Sequence, residues 1–131
     1  MKVLAVDFGS ARTGLAVSDE TGTVARPLEV VERAMTDEGL ARIAAVARSE
    51  AVERIVVGLP VTLRGERGAQ AAETECFVDA LRGVIPVPVE TFDERFTTRL
   101  AQQHRSQAPE DAAAAAHLLT TYLEWLTART T

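Results

Sequence analysis

Acidic residues at three widely separated places in the chain could together do chemistry. Asp7 ends the apolar run 3–6, Asp93 and Glu94 follow a short apolar segment, and Asp111 lies near the start of a helical pattern. An ionised carboxylate in or beside a buried element costs free energy unless it is paired or binds a cation. A single one could be an ordinary turn acid, since Asp is common where a strand ends. Three such places favour a shared site.

The types of side chain available favour a hard divalent cation. Cys76 is the only cysteine, and we expect it to be a small buried apolar residue. His104 and His117 lie in patterns that favour solvated or structural roles. Oxygen ligands suit Mg²⁺ or Mn²⁺, which keep several bound waters. Such ions can activate water and stabilise the leaving oxygen in phosphodiester cleavage, so the predicted activity is that of a metal-dependent nuclease.

Length and composition bound the class of protein. The chain has 131 residues, of which 47% are apolar and 25% are charged, and this predicts a single domain over residues 1–131. The net charge of −5 argues against a sequence-independent nucleic-acid coat but is compatible with a nucleic-acid enzyme. One cysteine fits a reducing compartment, and no apolar run is long enough for a signal peptide or a membrane span. We therefore expect a cytoplasmic protein without a membrane partner.

The hydrophobic pattern predicts three strands, then helix, strand, helix, strand and two helices. The strands are expected over 3–8, 14–17, 24–31, 54–60 and 86–92. The helices are expected from a cap at Thr36 or Asp37 to about 47, from 72 to a C-terminal cap at Gly83, from Thr97 or Thr98 to about 104, and from Pro109 to about 127. A helix between two strands implies a parallel crossover. The expected fold class is therefore α/β, a mixed five-stranded sheet with three antiparallel strands followed by parallel strands, flanked by helices.

The final helix should bring its acid to the sheet. Apolar side chains recur at i, i+3, i+4 and i+7 spacing, and Asp111 lies on the same stripe as Ala115 and Leu118. An acid in a first helical turn could simply complement the helix dipole, but Glu110 already does so. Small alanine side chains allow a close approach to the sheet. We therefore expect Asp111 near the strand ends.

Five segments, in order, resemble the YqgF/RuvX family. They are residues 7–19, 57–60, 65–68, 93–98 and the helical pattern of 111–123. The resemblance covers almost the whole chain. It implies an RNase H-like fold and metal-dependent nuclease activity. It also implies a role in maturing the 5′ end of precursor 16S rRNA or, in some members, in cleaving Holliday junctions.

The resemblance also implies roles for individual residues. The catalytic ligands of Mg²⁺ or Mn²⁺ would be Asp7, Glu94 and Asp111, and the substrate-phosphate contacts would be Arg12, Arg67 and Arg95. Arg64 departs from the family pattern, because an acidic residue often precedes the loop glycine, and it adds positive charge beside the site. Asp93 and Glu94 are not separated by the sequence, since a shift of one residue exchanges which acid faces the site.

Several functions are compatible with this pattern. The first is a ribonuclease acting on precursor rRNA, and the second is a DNA four-way-junction resolvase, which would need a two-fold dimer for symmetric incision. Nucleic acid is the expected partner, with RNA preferred and a DNA junction possible, for a monomer or a homodimer. A sugar-kinase or actin-like ATPase fragment is disfavoured because such enzymes bind nucleotide between two such domains. A non-catalytic RNA-binding assembly factor is a further alternative, favoured by the acidic net charge.

Overall fold

One mixed five-stranded sheet, with helices on both faces, organises the chain. The computed structural model describes residues 1–60, 68–93 and 110–130, without the side chains of residues 110, 111 and 130. The strands are β1 (Val3–Asp7), β2 (Arg12–Ser18), β3 (Ala25–Glu32), β4 (Arg54–Leu59) and β5 (Val89–Asp93). The helices are α1 (Asp37–Ser49), α2 (Ala69–Val84) and α3 (Glu110–Thr130). This arrangement confirms the predicted fold class, while the helix expected over 97–104 lies outside the described residues.

Strand β1 occupies the centre of the sheet, whose strand order is β3-β2-β1-β4-β5. β1 pairs antiparallel with β2, placing Asp7 opposite Gly14, and β2 pairs antiparallel with β3. β1 pairs parallel with β4, and β4 pairs parallel with β5. The predicted antiparallel meander of β1, β2 and β3 is therefore present, and so are the predicted parallel crossovers that lead to β4 and to β5. The carboxyl ends of β1, β4 and β5 consequently lie along one edge of the sheet.

Alternating side chains of β1 fill two separate cores. Leu4 and Val6 pack into the core beneath α1 and α2, whereas Val3 and Ala5 pack into the core beneath α3. All four side chains are completely buried. Because successive residues of a strand point to opposite faces, both faces of β1 are covered along its length.

In the ranges that the structure describes, no helix combines the length and apolar character needed to cross a membrane.

The ends of α1 show how the sequence sets helix boundaries. Thr36 caps the N-terminus as predicted, its hydroxyl accepting a hydrogen bond of 3.1 Å from the Gly39 amide. At the other end Ala51 has φ of +54° and its amide donates to the Arg48 carbonyl. Together with the bond from Val52 to the carbonyl of residue 47, this is a Schellman closure. The positive φ of Ala51 is therefore explained by the end of the helix.

Some predicted boundaries were wrong. Helix α2 continues to Val84 and ends at Ile85, so Gly83 lies inside the helix instead of capping it. The side chain of Cys76 is exposed, not buried as expected. Strand β5 begins at Val89, three residues after the predicted start, because the prolines at 86 and 88 delay regular pairing. These differences leave the order of the elements unchanged.

Asp19 is a structural acid at the end of the sheet remote from Asp7. Its carboxylate accepts a 2.6 Å hydrogen bond from the Thr21 hydroxyl and bonds of 2.9 and 3.1 Å from the amides of Thr23 and Val24. These donors, led by the Thr21 hydroxyl, hold the pKa of Asp19 well below its usual range. The acid therefore fixes the β2–β3 turn.

A polar contact fastens α3 to the sheet at the end remote from Asp7. The buried Tyr122 hydroxyl donates a hydrogen bond to the Glu90 carboxylate of β5 and accepts one of 2.8 Å from the Arg54 guanidinium of β4. Phe92 meets the Tyr122 ring edge to face at 5.5 Å. Burial, followed by the bond to Glu90, raises the pKa of Tyr122 to about 12. The neutral hydroxyl thus joins one helix to two parallel strands.

We expect the free energy of unfolding to fall as the pH rises from about 10 to 12, because the unfolded chain loses the Tyr122 proton near its ordinary pKa of 10 while the folded chain retains it. Denaturant unfolding followed by the fluorescence of Trp125, the single tryptophan, measures this. Tyr122→Phe should lack this part of the pH dependence and should lose about 1–3 kcal/mol at neutral pH. Identical slopes for the two proteins above pH 10 would contradict the assignment.

Candidate functional site

Asp7 lies where the central strand leaves the core. It is the last residue of β1 and is half-buried, directly after the fully buried run 3–6. The polar side chain therefore stands at the border between the interior and solvent. This confirms the position predicted from the sequence: Asp7 is an acid at the end of a buried strand, where an ionised carboxylate costs free energy unless it is paired or binds a cation.

The turn that follows Asp7 is held by side chains on both of its flanks. Thr13 is fully buried, and its hydroxyl lies 3.3 Å from both the amide and the carbonyl of Gly9. On the other flank Phe8 stacks on Phe77 of α2, with ring centroids 4.3 Å apart. Gly9 itself has no room for a side chain, since a Cβ would come within 2.4 Å of the Arg12 carbonyl oxygen. The position of Asp7 is thus fixed by its neighbours.

A cavity of about 140 Å³ opens beside this turn. It is lined by the turn residues 7–10, by Pro60 at the end of β4, and by Gln70, Glu73 and Thr74 of α2. The sequence analysis did not single out Glu73. The available signal was the i, i+3, i+4 spacing of polar residues in the first turns of a helix after a parallel strand, because such turns lie at the carboxyl edge of a sheet. A second acid therefore lines the same cavity as Asp7.

The structure shows on which face of the sheet Asp93, the last residue of β5, belongs relative to Asp7. Phe92 packs in the core beneath α3, on the face of the sheet to which Val3 and Ala5 point. Asp7 follows Ala5 by two residues and belongs to the same face, whereas Asp93 follows Phe92 by one and belongs to the opposite face. Asp93 is half-buried opposite Leu59 of β4. The alternation places Asp93 and Asp7 on opposite faces.

The other predicted ligands are described only in part. Asp111, whose backbone is described, is the second residue of α3. It lies one turn before Ala115, which is completely buried against the sheet. Its side chain, like the whole of Glu94, lies outside the described residues. Where side chains are described, no group of three Asp, Glu, His or Cys residues is arranged to hold a metal ion. The three-carboxylate set is therefore a prediction that the structure does not test.

The predicted substrate contacts divide in the same way. Arg12 is exposed at the start of β2, two residues before Gly14, and Gly14 is the residue that pairs with Asp7. It therefore lies at the same end of the sheet as the candidate site. Arg67 and Arg95 lie outside the described residues. Trp125, which is 37% exposed, packs edge to face on Phe92.

Solved structures show which class of fold this is. RuvC of T. thermophilus, solved with a Holliday junction substrate, superposes with a TM-score of 0.72 at 20% identity, covering 100% of this chain and 98% of that one. The Fowlpox virus resolvase gives a TM-score of 0.58 at 14% identity, covering 96% and 99%. The chain has the RNase H-like fold of the RuvC-type resolvases.

Sequence comparison gives the family. The model described as "RuvX: Holliday junction resolvase" matches residues 1–125, and the chain belongs to this family of nucleases. A protein of Chloroflexus aggregans named "Putative pre-16S rRNA nuclease" is 45% identical over 101 residues, which are 77% of this chain and 71% of that protein. A protein of the same name from Anaeromyxobacter is 41% identical over 133 residues, covering 95% and 97%. The resemblance seen in the sequence is confirmed.

A pair of glycine substitutions tests the close packing of the turn after Asp7. Gly9→Ala should lower the free energy of unfolding by about 1–3 kcal/mol, because its Cβ would overlap the Arg12 carbonyl. Gly83→Ala is the matched control: it lies exposed inside α2 with no atom near the added Cβ, and it should stabilise by about 0.5–1 kcal/mol. Urea unfolding of both variants measures the difference. Equal stability of Gly9→Ala and wild type would show that the turn is not constrained.

Proposed function

We propose that the protein is a metal-dependent nuclease that hydrolyses phosphodiester bonds and processes the 5′ end of precursor 16S rRNA. One observation carries the site: Asp7 is held by a constrained turn at the carboxyl edge of parallel strands, where sites of α/β proteins collect. The name shared by relatives that are 45% and 41% identical supports the substrate. Ribosomal RNA maturation would place the protein in the cytoplasm.

Asp7, Glu94 and Asp111 are the proposed catalytic residues and the ligands of Mg²⁺ or Mn²⁺. The donor set suits these cations, since all three ligands are carboxylates and Asp7 is half-buried at the end of the central strand. When bound, the metal would supply an activated water and stabilise the leaving oxygen. Asp7 comes from β1, Glu94 would follow β5, and Asp111 begins α3, so three separate elements would meet at one sheet edge.

Substrate phosphates would be bound by arginines around this edge. Arg12 is exposed at the end of the sheet where Asp7 lies. We assign Arg67 and Arg95 the same phosphate-binding role from the family motifs. A guanidinium binds a phosphate through paired donors. RNA is the preferred substrate, and the proposed enzyme acts as a monomer or a homodimer.

Cleavage of DNA four-way junctions is the second candidate function. The description of the matching family model favours it, and so does the fold shared with two resolvases that were solved with Holliday junction substrates. Symmetric incision of a junction needs two sites, so this function requires a homodimer. A protein that stays monomeric in sedimentation, both with and without a junction, would therefore count against this second candidate.

Asp7→Asn should reduce Mg²⁺- or Mn²⁺-dependent cleavage by more than about 100-fold, because a first ligand to the metal is lost. The substitution keeps the size of the side chain, so the thermal unfolding midpoint should not fall. The assay compares a precursor-rRNA fragment with a DNA four-way junction, each with Mg²⁺, with Mn²⁺ and with EDTA. Undiminished cleavage by Asp7→Asn, or cleavage that persists in EDTA, would overturn the proposed mechanism.

Substitution of neighbouring acids identifies the ligand after β5. Glu94→Gln should lose cleavage to about the same extent as Asp7→Asn, since an uncharged amide is a poor ligand for Mg²⁺. Asp93→Asn is the matched control and should keep most of the activity, because Asp93 belongs to the opposite face of the sheet from Asp7. Rates are measured at saturating metal. The reverse pattern would assign the ligand to Asp93.

A further inference from the structure

Arg33 lies at the same end of the sheet as Asp7, although the two are far apart in sequence. Asp7 is opposite Gly14, which is opposite Val30 of β3, and Arg33 comes three residues later. With strands about 4.8 Å apart and a rise of about 3.3 Å per residue, Arg33 lies roughly 10 Å to the side of Asp7 and roughly 10 Å beyond it. A nucleic-acid strand bound at Asp7 would span this distance in a few nucleotides.

The backbone of Arg33 is fixed in an unusual conformation. Its φ is +51°, a region that residues with a side chain rarely adopt, and such residues cluster at functional sites. The Arg33 amide donates a 3.0 Å bond to the carbonyl of Ala11, in the turn after β1. The Arg33 carbonyl accepts a 2.7 Å bond from the Thr36 hydroxyl and lies so close to Gly39 that a Cβ there would come within 2.4 Å. Unlike Ala51, this residue does not close a helix.

The Arg33 guanidinium carries a positive charge at the protein surface. Arg26, Arg42, Arg54 and Arg82 each form an ion pair with Glu or Asp. Arg33 is exposed and has no ion pair within the described residues, although the acids Glu32 and Asp37 are close to it in sequence. In a chain with a net charge of −5, a positive charge held beside the candidate site attracts an anion.

We propose that Arg33 binds a backbone phosphate of the substrate strand, a few nucleotides from the bond that is cleaved. The strand would pass from Asp7 over the turn that carries Arg12 and reach the β3–α1 connection, where the Arg33 amide is tied to that same turn. Arg33 is therefore a binding residue that extends the site beyond the arginines of the family motifs. Because phosphate contacts position a nucleic acid without reading its sequence, the contact would set the register of cleavage. This inference rests on the proposed nuclease function.

Four variants of the full chain test this contact. Arg33→Gln removes the charge, Arg33→Lys keeps it, and Arg33→Gly removes it while relaxing the positive φ. Arg48→Gln is the matched control, since Arg48 is likewise exposed and without an ion pair among the described residues, but it lies in the last turn of α1. Binding of a short labelled single-stranded RNA and of a DNA four-way junction is measured in EDTA by fluorescence anisotropy over a range of salt concentrations.

Arg33→Gln and Arg33→Gly should bind several-fold more weakly, and the slope of log K against log salt for RNA should decrease in magnitude by about 0.7, the loss of one phosphate contact. Arg33→Lys and Arg48→Gln should keep the wild-type slope. The Tm of Arg33→Gly should not fall, which separates the lost charge from backbone strain. A loss on RNA alone or on the junction alone would assign the phosphate to that substrate.

Wild-type affinity and slope in Arg33→Gln would overturn the contact, as would an equal loss in Arg48→Gln. Cleavage by the wild-type protein in Mg²⁺ is measured in parallel. If the wild type cleaves RNA while Arg33→Gln binds normally, only the Arg33 inference fails and the nuclease proposal stands. If the wild type neither binds nor cleaves RNA or the junction, both fail.

Discussion

The structure depends on the burial of β1 from both sides. Residues 3–6 have no exposed surface, and their backbone is paired with an antiparallel neighbour on one edge and a parallel neighbour on the other. A slip of one residue would exchange the two faces, moving the side chains that fit beneath α3 into the core beneath α1 and α2. The register of the central strand is therefore strongly determined. Asp7 inherits its position from that register.

The distribution of charges follows from the same frame. At the end of the sheet remote from Asp7, Glu50 pairs with Lys2 and Arg26, and Glu90 binds both Arg54 and the Tyr122 hydroxyl. Asp19, at that end too, is satisfied by the donors of its own turn. Charged groups there hold elements together. At the opposite end, Asp7 and Glu73 line the cavity beside one turn, and the Arg33 amide is hydrogen-bonded to that turn.

Periodicity was sufficient to predict the order of the elements and the direction of the strands. Runs such as 54–59, with turn residues on both sides, have one interpretation in a chain of this composition. Boundaries were less accurate, because tertiary contacts override local signals: Gly83 can continue α2, whose buried face packs on the sheet through Phe77 and Leu81. Cys76 was misplaced for a similar reason, since a small apolar residue in a helix can occupy either face.

The candidate site was predictable only in part. The sequence by itself determined that Asp7 ends a buried strand, because four apolar residues followed by an acid and a glycine have little choice once a core forms. Helical periodicity already favoured a place for Asp111 in a shared site, whereas the separate roles of Glu94 and the arginines 12, 67 and 95 came from the family motifs. Only the tertiary structure decided that Glu73 lines the cavity beside Asp7, that Arg33 lies at the same end of the sheet, and that Asp93 belongs to the opposite face. Distances between residues far apart in the chain are set by strand order and register, which depend on how both cores fill at once.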